Sequence, residues 1–430
     1  MRADKLCETI REAFALAKSG RPGPVLVDIP KDIQNTEIEY EFEESSKSFE
    51  KYKEVLNVNH NRQKFLLVKA AEAINRSERP VIYAGGGVKI ANAVQELRDF
   101  ALKIKAPVST SLMGTGVFPG EHDQFLGMVG MHGFKHANLA FDNSDLIIAV
   151  GARFSDRATC KTDGFATNAE VIQIDIDPAE LGKNIEVGYP LSGDVKDVLN
   201  ELNKLIEEKP VNGWLKQVKE YKDDNKLNYN AKGELCPKFL LETINRVAGE
   251  NITVTTEVGQ HQMWTAQYYK FNDPRSFLTS GGLGTMGFGL GAAIGAAMGR
   301  PDRKTINIAG DGSFRMNINE LATLSRYNIP VKQIVMNNSA LGMVKQWQKI
   351  LFEKKYSHTQ FFDVLDFAKI AEAFGVKGLR IEKNEDVERV LLEALNHDGP
   401  VVIDCIISSE DLVLPMVLAD RPICECNDDY

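Results

Sequence analysis

Two rhythms of apolar residues run along this chain. One is helical: Leu6, Ile10, Phe14 and Ala17 recur at the spacing of a single helix face, with Gly20 placed to end that helix. The other is a set of short apolar runs bounded by proline, glycine or charge. The first is Pro24-Val25-Leu26-Val27-Asp28-Ile29-Pro30. It is followed by Pro80-Val81-Ile82-Tyr83-Ala84, Pro107-Val108-Ser109-Thr110, Leu146-Ile147-Ile148-Ala149-Val150 and Val171-Ile172-Gln173-Ile174-Asp175. These runs predict strands. Between them lie helical stretches, such as the one through Ala70, Ala71, Ala73 and Ile74. Strands alternating with helices predict an α/β chain with parallel, doubly wound sheets. The pattern divides into a helix-strand unit over 1–35, a charged linker over 36–62, and an α/β unit over 63–206. A linker rich in lysine and asparagine follows over 207–235, and a second α/β unit and tail fill 236–430.

The 430 residues agree with about three domains at ~150 residues each. A hydrophobic fraction of 43% suits large soluble cores. The net charge of −9 is mixed along the chain, so the basic face that nucleic acid requires is missing. No apolar run approaches the ~18 residues of a membrane span, and the N-terminus has no apolar signal core. Six scattered cysteines fit a reducing, cytoplasmic setting. Cys424 and Cys426 form a C-x-C that reads as part of a solvated tail, with a metal or redox role as the alternative.

The chemistry concentrates in the last unit. Thr305-Ile306-Asn307-Ile308-Ala309 runs into Gly310-Asp311-Gly312-Ser313, and a later strand-like run ends at Asn337-Asn338. In a parallel sheet two such runs end side by side, with a helix crossing between them. Asp311 and Asn338 then hold one hard cation through oxygen, and the glycines admit a phosphate to backbone amides at a helix start. This spacing points to a magnesium-bridged diphosphate. The plainer reading of Gly-Asp-Gly alone is an ordinary strand-to-helix turn. In the middle unit, Gly85-Gly86-Gly87, Gly151 and Gly193-Asp194 follow strands, where open sheets bind ligands. Such glycines also occur for packing alone.

The pair of motifs resembles the fingerprint of the thiamine-diphosphate enzymes, the family that includes pyruvate decarboxylase, pyruvate oxidase and acetolactate synthase. Val258-Gly259-Gln260-His261-Gln262-Met263-Trp264, the stretch Thr279 to Gly287, and Gly342-Met343-Val344-Lys345-Gln346-Trp347 are similar to acetolactate synthase (acetohydroxyacid synthase) catalytic subunits in particular. The resemblance implies thiamine diphosphate contacted by Val258, Gly259, Gln260, His261, Gly284, Met286, Gly310, Gly312, Ser313 and Met343. It implies Mg2+ on Asp311, Asn338 and the main-chain carbonyl of Ala340. Met286 matches the apolar residue beneath the cofactor, with core packing as the alternative. Gly151-Ala152-Arg153-Phe154-Ser155-Asp156-Arg157 looks like the family's flavin motif, with Ser155 in place of an acid. The resemblance therefore implies FAD, without a net redox role, at Gly85, Gly86, Met131, His132, Gly151, Arg153, Asp175 and Asp194. It further implies decarboxylation of pyruvate and transfer of the two-carbon unit to a second 2-ketoacid, pyruvate or 2-ketobutyrate, in branched-chain amino-acid synthesis. Trp347 and Arg157 match residues at that acceptor, and Lys31 matches a channel lysine. A homo-oligomer, and a small regulatory subunit, are implied as partners. Pyruvate oxidase and glyoxylate carboligase remain rivals.

The resemblance also marks departures. Residues 1–35 match only the last helix and strand of the family's pyrimidine-binding domain, whose glutamate contacts the cofactor. The helix-strand pair is therefore expected to expose apolar faces. The site is expected to be completed by another chain's pyrimidine domain; the alternative is a non-catalytic protein that binds FAD and diphosphate. After Leu414-Pro415-Met416 the tail also leaves the family's pattern.

Overall fold

The computed structural model of the protein describes residues 2–39, 60–224, 233–363 and 365–427. Most of the first expected linker, 40–59, lies outside these residues, as does 225–232 of the second. The middle unit carries strands β1 (Pro80–Ala84), β2 (Val108–Thr110), β3 (Phe125–Met128), β4 (Leu146–Val150), β5 (Glu170–Asp175) and β6 (Tyr189–Ser192). Their order across the sheet is β3-β2-β1-β4-β5-β6, all parallel. The last unit carries β7 (Ile252–Thr256), β8 (Phe277–Thr279), β9 (Lys304–Gly310), β10 (Lys332–Asn337), β11 (Lys377–Ile381) and β12 (Val401–Ile406). The order here is β11-β12-β10-β9-β7-β8, again all parallel. Two doubly wound sheets are what the alternating pattern predicts.

Parallel strands covered by helices on both faces are buried on both faces, which is why β1, β4 and β7 show no exposed position. Each sheet has an apolar cluster on either side. Ile82, Ile148 and Ile172 point into one cluster of the middle unit, and Tyr83, Ile147 and Ala149 into the other. The direction of winding reverses between β1 and β4 in the middle unit, and between β7 and β9 in the last, where it turns again at the edge as β12 inserts between β10 and β11. Reversal leaves a crevice at the carboxyl ends of the strands, where open sheets bind ligands.

The helices that bear on function are α1 (Leu6–Lys18), α2 (Gly86–Ile90), α3 (Val195–Leu205), α4 (Gly213–Asp224), α5 (Gln260–Tyr268), α6 (Phe288–Gly299), α7 (Asp311–Phe314) and α8 (Gly342–Leu351). Three expectations need correction. The run 24–30 forms no strand and pairs with none among the described residues. Its Leu26 is 87% exposed, and Phe14 of α1 is exposed as well, in keeping with unpartnered apolar faces. Arg21 ties this segment to the middle unit through Glu180 at 3.0 Å and Asp177 at 3.4 Å. Second, part of the expected 207–235 linker is α4. Trp214 and Val218 are buried against the middle core, and Trp214 Nε1 donates to the Pro80 carbonyl at 3.0 Å. Third, the tail is not solvated. Met416, Val417, Ile423 and Cys426 are buried in the middle unit's cluster, so the chain crosses back from the last unit to the middle one.

Candidate functional site

One cleft lies at the reversal between β7 and β9. It is built from the three turns that leave β7, β9 and β10. After β7 come Val258, Gly259, Gln260 and His261, where Gly259 (φ +152°) turns the chain into α5. β9 ends at Gly310, and Asp311, Gly312 and Ser313 start α7. After β10 come Asn338, Ala340, Leu341, Gly342 and Met343, leading into α8. Because β9 and β10 pair in parallel, with Gly310 opposite Met336, Asp311 and Asn338 emerge side by side. All these residues, with Met286, line the same cleft.

Two of its groups carry buried polar atoms without a hydrogen bond. Asp311 is 1% exposed and both carboxylate oxygens are buried without a hydrogen bond. Burial outweighs the nearby backbone amides and Arg315, and pushes its pKa up to about 7. His261 is fully enclosed, its Nε2 has no partner, and burial pulls its pKa down to about 3, so the ring is neutral at pH 7. A buried carboxylate without a counter-charge is costly, and such groups are normally paired or bound to metal. Asn338 offers Oδ1, which accepts from Ala340 N at 3.1 Å, while its Nδ2 donates to Gln260 Oε1 at 3.3 Å. Among the described residues no group of three or more His, Cys, Asp or Glu side chains gathers to hold a metal. One carboxylate with an amide oxygen and a peptide oxygen is instead a hard-cation set, the kind that Mg2+ completes with phosphate oxygens. The cleft fits both the cation and a diphosphate. A Cβ on Gly310 would lie 2.8 Å from the His261 ring, and one on Gly342 would lie 2.0 Å from Gln260 Oε1. The close approach of these elements requires glycine.

Behind the cleft stands Glu257, 0% exposed. Its carboxylate accepts from Leu290 N at 3.0 Å and from Ser313 Oγ at 3.2 Å, with the amides of Gly287 and Gly289 nearby. Burial raises its pKa, and these donors counter the rise. It joins the start of α6 to the start of α7. The sequence reading overlooked it, although an acid at the end of an apolar strand is itself a signal. Trp264, Met336, Leu341, Gly342, Val344 and Ile407 also line the cleft and were not singled out as site residues.

Gly284 lies outside the lining, beside Val258, with φ +65°. Trp347 does not line the cleft but packs against the cluster shared by the middle unit and the tail. Arg157 is exposed and bonds Asp156 at 2.9 Å, and Lys31 is exposed in the N-terminal segment; neither lines the cleft.

In the middle unit the expected flavin residues gather at the carboxyl ends of the strands. Gly85 and Gly86 follow β1, and Gly151 follows β4. A Cβ on Gly85 would lie 2.0 Å from the Gly151 carbonyl, so these glycines let two strand-end loops touch. Met131 is buried and His132 half-buried after β3. Burial lowers the His132 pKa to about 4, and its Nδ1 has no partner. Arg153 is exposed after β4. Asp175, buried at the end of β5, accepts from Asp177 N at 2.9 Å. Asp194 caps α3, accepting from Lys196 N and Asp197 N. The two sites meet where Gln267 of α5 donates to the carbonyls of both His132 and Leu414.

Comparison with known proteins agrees with this layout. Residues 67–202 match the thiamine pyrophosphate enzyme central domain, and 257–405 the thiamine pyrophosphate enzyme C-terminal TPP binding domain. A probable acetolactate synthase large subunit of Methanocaldococcus jannaschii is 44% identical over 96% of this chain and 71% of its own length. An acetolactate synthase large subunit of Buchnera aphidicola is 41% identical over 94% of this chain and 72% of its own. Acetolactate synthase 1, chloroplastic, of Nicotiana tabacum is 40% identical over 97% of this chain and 64% of its own. The chain thus belongs to the acetolactate synthase large-subunit family of thiamine pyrophosphate enzymes.

Proposed function

We propose that this chain is the catalytic subunit of an acetolactate synthase, converting pyruvate and a second 2-ketoacid to acetolactate or acetohydroxybutyrate. The observation that carries the reading is the buried, unpartnered carboxylate of Asp311 beside Asn338 at the reversal of the last sheet. Thiamine diphosphate, when bound, supplies the electron sink for decarboxylation and carbon–carbon bond formation. The chain's own residues bind and orient. Asp311, Asn338 Oδ1 and the Ala340 carbonyl would hold Mg2+. Gln260, His261 and the amides around Gly310, Gly312 and Ser313 would meet the diphosphate, with Val258, Gly259, Gly284 and Met343 around the cofactor and Met286 supporting it. Neutral His261 serves as a hydrogen-bond donor to phosphate oxygen rather than as a proton source.

For the acceptor we place Trp347 and Arg157 between the last and middle units, with Lys31 at the approach. Trp347 lies one helical turn beyond Met343, which lines the cleft, so α8 links cleft and interface. FAD is assigned to Gly85, Gly86, Met131, His132, Gly151, Arg153, Asp175 and Asp194. The residue ranges proposed for the units are 1–35, 63–206 and 236–430. A homo-oligomer, a small regulatory subunit and a cytoplasmic location complete the proposal. No helix of the described residues is long and apolar enough to cross a membrane.

Acetolactate formation from pyruvate, assayed with thiamine diphosphate, Mg2+ and FAD, tests the reading. The chain is assayed alone and mixed with a full-length relative made inactive at its own metal site. Activity that disappears in Asp311→Asn supports it. Absence of turnover in both settings, with no Mg2+-dependent cofactor binding, would overturn it.

A further inference from the structure

The Asn338 amide is held at both ends: its Oδ1 accepts from Ala340 N at 3.1 Å, and its nitrogen end meets a chain of side-chain amides that runs from Gln260 to Gln346. Asn338 is useful to a cation only through Oδ1, so the amide must be held with nitrogen turned away. Its Nδ2 donates to Gln260 Oε1 at 3.3 Å. The Gln260 amide is itself fixed, because its Nε2 donates to two acceptors at once, Gln346 Oε1 and the Asp411 carbonyl, each at 2.9 Å. The Gln346 amide is fixed in turn by a peptide. Val413 N donates to Gln346 Oε1 at 2.8 Å, and Gln346 Nε2 donates to the Val413 carbonyl at 3.1 Å. A paired donor and acceptor on one residue leaves the glutamine one orientation only. Gln346 is 1% exposed, so water offers no substitute partner.

We propose that Gln346 is a positioning residue for the metal site: the Val413 peptide sets its amide, Gln346 sets Gln260, and Gln260 turns Asn338 Oδ1 toward the cation. The inference rests on the magnesium-diphosphate reading of the cleft. Its polarity runs one way. Reversing the Gln346 amide would set its nitrogen against the Gln260 and Val413 nitrogens. Reversing Gln260 would set its oxygen against the Asp411 carbonyl. Gly342 belongs to the same arrangement, because Gln260 and Asn338 meet across the start of α8, where any Cβ would strike both.

Outer-shell partners of metal ligands typically change metal affinity about 10–100-fold when removed. The test uses the full chain and titrates Mg2+ at a fixed, saturating concentration of thiamine diphosphate, following quenching of Trp264, which lines the cleft. Gln346→Met keeps the approximate volume and removes the acceptor; the Mg2+ half-saturation is expected to rise about tenfold. Gln346→Glu keeps the acceptor for Gln260 and is expected to stay within about threefold of the parent. Thermal melting is recorded for each, and if Gln346→Met does not fold, Gln346→Leu, which also removes the acceptor, is read by the same titration. A merely structural role would lower the melting temperature of both variants and leave the Mg2+ half-saturation of each unchanged. That result, or a tenfold loss in Gln346→Glu alone, overturns the proposal. A parent chain that binds thiamine diphosphate without Mg2+ dependence would instead overturn the reading of the cleft.

Discussion

Asp311 sets the electrostatics of the cleft at the scale of one residue. Burial raises its pKa from 3.8 to about 7. The folded, metal-free chain therefore favours the neutral acid more than the unfolded chain does. Metal-free stability is greatest below the unfolded value, falls as pH rises toward 7, and levels off above it. At ~1.4 kcal/mol per pKa unit the cost above pH 7 reaches at most about 4 kcal/mol. Asp311→Asn removes that cost. Metal-free melting temperature should fall between pH 5 and pH 8 in the parent and fall less in the variant, where Asp411, pushed up to about 6 by burial, still contributes; the variant should melt higher at pH 8. The variant should also lose roughly 100-fold or more in Mg2+-dependent thiamine diphosphate binding by calorimetry, with FAD absorbance unchanged. A parent whose metal-free melting temperature rises across that range would contradict the assignment of Asp311 as a buried, unpaired acid. Gly342→Ala is a second residue-scale test. Its Cβ would sit 2.0 Å from Gln260 Oε1. Cofactor affinity is expected to drop about tenfold as Gln260 is displaced from Asn338. Unchanged affinity would mean that Gln260 does not position the metal ligand.

Among elements, the segment after β12 joins the two units. Side chains of α5 and α8 donate to carbonyls along it: Lys345 to Ser409, Gln260 to Asp411, Trp264 to Leu412, Gln346 to Val413 and Gln267 to Leu414. Val417 N then donates to the Met131 carbonyl at 2.9 Å, and Met416 enters the middle unit's cluster with no exposure. Met416→Ala should cost about 2–5 kcal/mol in denaturant unfolding, the range for buried methionine truncations. A cost under about 0.5 kcal/mol, as for a surface change, would mean that the tail is not part of that core. The placement of Asp311 and Asn338 at neighbouring strand ends was legible in sequence because each follows an apolar strand at a short, fixed offset. The segment's part was not, because it acts through main-chain carbonyls, which no residue type reports. Helix α4 was hidden differently. Its lysines suggest a linker, yet Trp214, Val218 and Tyr221 keep one helical face that packs on the middle unit.

For the whole molecule the decisive feature is α6, Phe288-Gly-Leu-Gly-Ala-Ala-Ile-Gly-Ala-Ala-Met-Gly299, which is apolar on every side. A helix of that kind is normally enclosed. Here Leu290 and Ala293 are buried in the core of the last unit, but Met298 is 67% exposed, and a Cβ on Gly291, Gly295 or Gly299 would meet nothing within 4 Å. Leu283, in the loop before α6, is 94% exposed, and Met316, beyond α7, is exposed too. The homo-oligomer proposed above would cover this face with a second copy of the chain, while the net charge of −9 opposes non-specific association. Sedimentation velocity over a concentration series should therefore show the parent chain associating to a defined species. Gly295→Asp with Met298→Asp should shift it to the monomer without lowering the melting temperature of the isolated subunit. A parent that remains monomeric at every concentration, or a double variant that associates as the parent does, would mean that α6 is not the contact through which copies of this chain meet.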